Sequence, residues 1–202
     1  MKTLVLVNTL QSVSPFIYAN HIQFFTKTKS ACPEDELILF TPPRMSIDRA
    51  RNVAARTAME HECDYLLFLD DDVLVPFDAY LKLKAHNLDI CAGLVIIRGY
   101  PFNVMAFKEV FSDSKDIPED KKTKGLTYFN DLPLNGNGKI KDLVTHEDSL
   151  GAVGFSLCLI KVDLLKAMLP PYFVTGPTNT EDVYFCCKAL SEVDPVPTIG
   201  RY

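Results

Sequence analysis

Short apolar runs punctuate the first half of the chain, separated by stretches in which apolar residues recur at helical spacing. Leu4 to Val7 is the first run, Leu37-Ile38-Leu39-Phe40 the second and Tyr65-Leu66-Leu67-Phe68-Leu69 the third. Such runs, bounded by turn residues, read as buried strands. A helix follows the first from about Pro15 to Phe25, with the proline in its first turn, where a missing N–H costs nothing. Pro42-Pro43 stops the second run, and Ser46 then caps a helix whose Ile47, Ala50, Ala54 and Ala58 share one face. A further helix runs from Asp78 to about His86, and Asp89 to Ile97 returns as a strand. Alternating strands and helices predict an α/β domain on a Rossmann-like, mostly parallel sheet flanked by helices.

The second half reads differently. Val104 to Phe107 and Ile140 to Thr145 are strand-like, and a polar, lysine-rich stretch from Ser112 to Gly125 between them reads as a surface excursion. Asn135-Gly136-Asn137-Gly138 signals a hairpin turn. Phe155 to Ile160 is a buried strand, and a short helix from Asp163 to Met168 ends at Pro170-Pro171. The last helix starts near Thr180, with Val183, Cys186, Cys187 and Leu190 on one face. The expected result is a smaller antiparallel portion in this half. With no repeats and no linker, residues 1–202 read as a single domain.

Composition narrows the class. The chain is 48% hydrophobic with a net charge of −5, which argues against a protein that coats nucleic acid. No apolar run is long enough for a membrane span or a signal segment, so a soluble, cytoplasmic protein is expected. None of the six cysteines shows C-x-x-C spacing, and Cys91 and Cys158 fall inside apolar runs. Free, buried thiols are expected, and adjacent Cys186 and Cys187 point about 100° apart on a helix.

The chemistry concentrates at four places. Asp70, Asp71 and Asp72 end the third apolar run, so they sit at the carboxyl end of a buried strand, where ligands bind in open α/β sheets. Adjacent carboxylates repel, and a hard cation such as Mg²⁺ or Mn²⁺ relieves that repulsion. The alternative is a solvated loop. The Ser46 helix carries Arg49, Arg51 and Arg56; Arg49 and Arg56 read as solvated, whereas Arg51, beside Asn52, is equally suited to phosphate oxygens or to a solvated face with Asp48 and Glu60 as partners. Gly151-Ala152-Val153-Gly154 permits either close approach to a ligand or a plain bulge. Thr180-Glu181-Asp182 opens the last helix, where Asn179 or Thr180 caps and the acids complement the helix dipole, unless one acid is a general base. Of the four histidines, His61 and His86 read as surface residues near helix ends, and His146, just before Glu147-Asp148 and the glycine loop, is a minor candidate for the cleft.

Taken in order, Arg51-Asn52, Tyr65 to Asp72, Gly151 to Phe155 and Thr180-Glu181-Asp182 resemble a nucleotide-sugar-dependent glycosyltransferase of the GT-A fold, similar to family 2, over residues 45 to 190. The resemblance implies that Asp72 ligates a divalent cation bridging the donor's diphosphate. It also implies that Asp70 contacts the metal or the ribose, and that Asp182 is the catalytic base with Glu181 orienting it or binding acceptor. Residues 1–97 would then form the nucleotide side, with Asn8, Thr9, Arg51, Asp70, Asp71, Gly151 and Gly154 around the donor, and residues 98–202 the acceptor side. The acceptor stays open among a glycan, a lipid carrier, a protein, a metabolite and a modified nucleic-acid base. Many such enzymes add a metal ligand, often histidine, beyond the last helix; this sequence has no histidine after His146.

Two other functions fit some of these residues. A phosphatase of the haloacid-dehalogenase type also uses Asp-x-Asp at a strand end, together with a downstream lysine, for which Lys161 is the candidate. A non-catalytic nucleotide- or sugar-binding module would bind the donor without turning it over.

Overall fold

The computed structural model describes residues 1–9, 12–96, 104–107, 151–176 and 180–201. The expected strand 140–145, the turn at 135–138, the excursion 112–125, Asn179 and His146 lie outside them.

Six strands form the main sheet: β1 (Lys2–Asn8), β2 (Glu36–Phe40), β3 (Tyr65–Asp70), β4 (Ile90–Ala92), β7 (Leu157–Lys161) and β8 (Ile199–Arg201), in the order β2-β1-β3-β7-β4-β8. β1 pairs in parallel with β2 and β3, and β4 with β8, while β7 runs antiparallel to both of its neighbours. Five strands therefore share one direction. A separate antiparallel pair joins β5 (Ala106–Phe107) to β6 (Ala152–Val153). The fold is α/β, as the strand–helix alternation predicts.

Five helices, α1 (Pro15–Ala31), α2 (Ile47–Glu60), α3 (Ala79–Ala85), α4 (Val162–Lys166) and α5 (Glu181–Glu192), cover the two faces. Alternation along each strand decides which helix meets which residue. Leu4, Leu6, Leu66, Phe68, Cys158 and Ile160 pack with Ala54 and Ala58 of α2, Leu165 of α4 and Phe185 of α5. The intervening Val5, Val7, Leu67, Leu69 and Leu159 pack with Phe24 of α1 and Tyr80 and Leu83 of α3.

Several boundaries differ from the sequence reading. α1 continues to Ala31, because Thr28 extends the buried face of His21 and Phe24 by another turn and nothing breaks the helix before Pro33; the hydroxyls of Thr26 and Ser30 bond back to the carbonyls of Ile22 and Thr26. The strand expected over Asp89 to Ile97 shortens to Ile90–Ala92, the three residues that β7 and β8 flank together. β8 carries almost no apolar signal and was not foreseen. Ser46 occupies the N-cap of α2 but makes no side-chain capping bond. The buried face of α5 includes Phe185 and Ala189, while Cys187 and Leu190 are only partly covered. All six cysteines are free.

Candidate functional site

Strand parity builds the site. Asn8 continues the Leu4–Leu6 series and Asp70 the Leu66–Phe68 series, so both fall on the face covered by α2 and α5. The register pairs them directly, Asn8 with Asp70, at the carboxyl ends of β1 and β3. Asn8 is 7% exposed, and its Oδ1 has no hydrogen-bond partner among the described residues. Thr9, half-buried, follows it. Asp71, half-buried, and Asp72, exposed, leave the strand in a turn.

Arg51 reaches the same point from the second turn of α2. Its Nη1 donates to Glu181 Oε1 at 2.6 Å, and its Nη2 lies 3.5 Å from Asp70 Oδ1. The guanidinium sits over the rings of Phe68 and Phe155, 5.2 and 5.6 Å from their centroids. Phe155, Phe173 and Phe185 pack against one another beneath it. With 3% of its surface exposed, Arg51 is a buried cation linking β3 to the start of α5. Asn52, next to it, accepts from the backbone N–H groups of Tyr172 and Phe173 and donates to the Phe173 carbonyl, fixing that segment against α2. Arg49 and Arg56 are exposed, as expected.

At the head of α5, Thr180 makes no side-chain capping bond. Instead its hydroxyl donates to Asp182 Oδ1, which also accepts from the Val183 N–H at 2.8 Å. This differs from the expected cap, in which Thr180 itself would accept from the helix N–H groups. Asp182 is buried with one oxygen held in place, and Glu181 is engaged with Arg51 rather than with Asp182.

Burial pushes the carboxyls of Asp70 and Glu181 above their ordinary values; Arg51 counters this in both, and neighbouring acids add to the rise. For Asp70 those acids are Asp72 and Asp182, and Ser156 helps to lower it through a hydrogen bond. Asp72, Asp182 and Arg51 thus act on Asp70, and Asp70, Asp182 and Arg51 on Glu181.

Two expectations take a different form. Gly151 N–H bonds to the Phe107 carbonyl and Gly154 N–H to the Met105 carbonyl, so both glycines bracket β6. A Cβ at Gly154 would meet Met105 Cβ at 3.0 Å, so the close approach required there is to Met105. Lys161 pairs in register with Tyr65, at the opposite end of β3 from Asp70, and its Nζ bonds Asp89 Oδ1 at 3.2 Å. Lys161, the candidate for the lysine of a haloacid-dehalogenase phosphatase, is therefore not at the aspartates.

Among the described residues no group of three or more His, Cys, Asp or Glu is arranged as a ready-made metal cage. Mg²⁺ in phosphate-transferring sites is commonly held by one or two carboxylates and completed by substrate oxygens and water. Asp70 and Asp72 supply hard oxygen donors of that kind, and the charge of Asp72 acts on Asp70. The donor set fits Mg²⁺ or Mn²⁺ together with a diphosphate.

Sequence reading missed three contributors. Asn20 and His21 of α1 bond to the backbone beyond the aspartates. Arg201, 3% exposed, ends β8 beside Ala92 at the same sheet edge, and burial lowers its pKa. No residue spacing announces any of them, because each depends on which strand or helix lies alongside.

No family model and no curated protein matches the chain. Among solved structures, A197 from STIV is similar over 100% of this chain and 82% of its own, at 17% identity and a TM-score of 0.60. HddC from Yersinia pseudotuberculosis, complexed with GMP-PN, aligns over 100% of this chain and 89% of its own, at 9% identity and a TM-score of 0.38. The likeness to A197 is one of fold, and that to HddC is too slight to argue from. No described helix is long and apolar enough to cross a membrane.

Proposed function

We propose that this chain is a nucleotide-sugar-dependent glycosyltransferase whose donor diphosphate binds with Mg²⁺ or Mn²⁺ at Asp70 and Asp72. The observation that carries the reading is the pairing of Arg51 with both Asp70 and Glu181 at one sheet edge, with the charges of Asp72 and Asp182 near enough to act on Asp70. The unpartnered, buried Asn8 Oδ1 beside Asp70 supports it, since a nucleotide donor group would satisfy that oxygen.

A cation bound there supplies Lewis-acid neutralisation of the departing diphosphate. Asp182 takes the proton of the acceptor hydroxyl through Oδ2, while Thr180 and the Val183 N–H hold Oδ1. The acceptor oxygen bonds to the anomeric carbon as the bond from that carbon to the diphosphate breaks, and the electron pair leaves with the nucleotide. Arg51 keeps Glu181 and Asp70 in place without entering the reaction.

The test is a panel of nucleotide sugars screened by thermal shift with and without Mn²⁺, because a ligand that binds only the folded state raises Tm. A Mn²⁺-dependent rise with one donor class, followed by transfer or slow hydrolysis of its sugar, is the expected result. No rise with any donor overturns the reading. Tight binding with no turnover across an acceptor panel identifies a binding module instead.

A further inference from the structure

The turn beyond the aspartates is held by a helix that lies about fifty residues earlier in the chain. Asn20 of α1 donates through Nδ2 to the Val75 carbonyl at 3.1 Å and accepts the Val75 N–H through Oδ1 at 2.8 Å. One residue on, His21 Nε2 lies 3.0 Å from the Val73 carbonyl, and since a carbonyl only accepts, Nε2 carries the proton. His21 is 6% exposed, on the same helix face as the fully buried Phe24. Inside the turn itself, Val73 N–H reaches the Asp70 carbonyl at 3.4 Å, a long bond that fixes little. Asp70, Asp71 and Asp72 meanwhile repel one another.

The segment from Asp70 to Val75 is therefore anchored by β3 at one end and by α1 at the other. Asp71 and Asp72 lie in the short span between. We propose that Asn20 and His21 are positioning residues for Asp72, fixing the turn in the shape that receives the cation and the diphosphate. This rests on the glycosyltransferase reading above and extends it to side chains that touch neither ligand. They act through the backbone of residues 73 and 75, and α1 in turn is fixed by its packing under the sheet. Groups hydrogen-bonded to a metal ligand typically change metal affinity by about 10–100-fold when removed, and the same order is expected of a clamp on the backbone beside Asp72.

The experiment measures Mn²⁺ binding from loss of the free-ion electron paramagnetic resonance signal, with UDP and GDP in turn as the probe nucleotides. Asn20→Ala and His21→Leu remove the clamp, and His21→Gln replaces the imidazole donor with an amide donor. Expected is a Kd for Mn²⁺ in the presence of nucleotide raised about 10–100-fold in Asn20→Ala and His21→Leu, with His21→Gln close to wild type. Amide exchange should quicken over Asp71 to Val75 while the β3 amides stay protected, which general destabilisation would not produce. If Asn20→Ala does not fold, the His21→Leu and His21→Gln pair decides. Wild-type affinity in both clamp variants overturns the proposal, as does a His21→Gln as weak as His21→Leu. A wild-type protein that binds no Mn²⁺ with UDP, GDP or any other nucleotide of the donor panel overturns the glycosyltransferase reading, whereas Mn²⁺ binding by wild type that the clamp variants leave intact overturns this proposal alone.

Discussion

Arg51 shows how one residue links stability to chemistry here. Its charge is buried between Glu181 and Asp70 and rests on two aromatic rings, so removing it strands two acids in an apolar setting. Breaking a buried pair from one side costs about 3–5 kcal/mol. Arg51→Met should accordingly lower Tm by roughly 10 °C in a domain of this size. Adding Glu181→Leu should restore part of that loss, and calorimetric melting of both variants checks it. Asp182 is a different case. Its Oδ1 is held by Thr180 and Val183, and Asn can keep the same acceptor in place, so Asp182→Asn should fold normally. General-base assistance is worth about 10²–10⁴-fold, and turnover should fall by that order while thermal shifts with donor and Mn²⁺ stay unchanged. A wild-type rate would leave Asp182 with only its part in the helix start. Arg51 beside Asn52 was legible as a candidate from the sequence, but its partners were not, because Glu181 lies 130 positions away.

At the scale of elements, α3 and the connection into β2 are joined by a second charged cluster on the far side of the sheet. Asp35, 2% exposed, accepts from the amino group of Met1 at 3.0 Å, from Lys84 of α3 and from the Tyr80 hydroxyl at 3.1 Å, and Tyr80 also bonds Thr3 of β1. Burial alone would raise the Asp35 pKa, but the hydrogen bond from Lys84 and the other donors outweigh it and leave it below 3.8. Burial would lower Lys84, yet Asp35 raises it above 10.5. A depressed carboxylate stabilises the fold above its unfolded value and loses that contribution as pH falls through the folded value. A raised lysine contributes below its unfolded value and loses the contribution as pH rises through the folded one. The cluster therefore stabilises fully between these limits. Asp35→Asn should cost about 1.5–3 kcal/mol at pH 7, the worth of hydrogen bonds to a charged group. The gap to wild type should close as pH is lowered past 3.8 in denaturant titrations. A gap that stays constant into acid would mean that Asp35 acts through packing alone. Among the elements themselves, β3 and α2 were readable because a continuous apolar run and a regular alanine face leave one solution each. β8 and the full length of α1 were not, because the one is completed by β4 alongside it and the last turns of the other by the burial of Thr28, a polar residue that carries no apolar signal.

For the whole molecule, the strand order sets the gradient of stability. β3 lies inside the sheet with β1 and β7 on its two sides, and Leu66, Leu67 and Phe68 are at most 1% exposed, whereas β2 is an edge strand with two exposed residues. Amide exchange should therefore be slowest at Leu66 to Phe68, opening only with global unfolding, and fastest among the strands at β2. Early loss of protection in β3 would contradict this sheet order. The same order separates what the chain announces locally from what only assembly decides. Apolar runs alternating with helical spacing determined the α/β class, and the position of Asp70 to Asp72 at the end of the most apolar run determined which strand end carries the acids. Both follow from local periodicity, since a strand alternates sides and a helix repeats every 3.6 residues whatever lies around it. The single reversed strand β7, the meeting of Arg51 with Glu181, the placement of Lys161 away from the aspartates and the grip of α1 on the following turn were decided by tertiary structure alone. Each depends on which surfaces pack together, and burial turns a surface-like arginine into an internal counter-ion only once β3, α2 and α5 close around it.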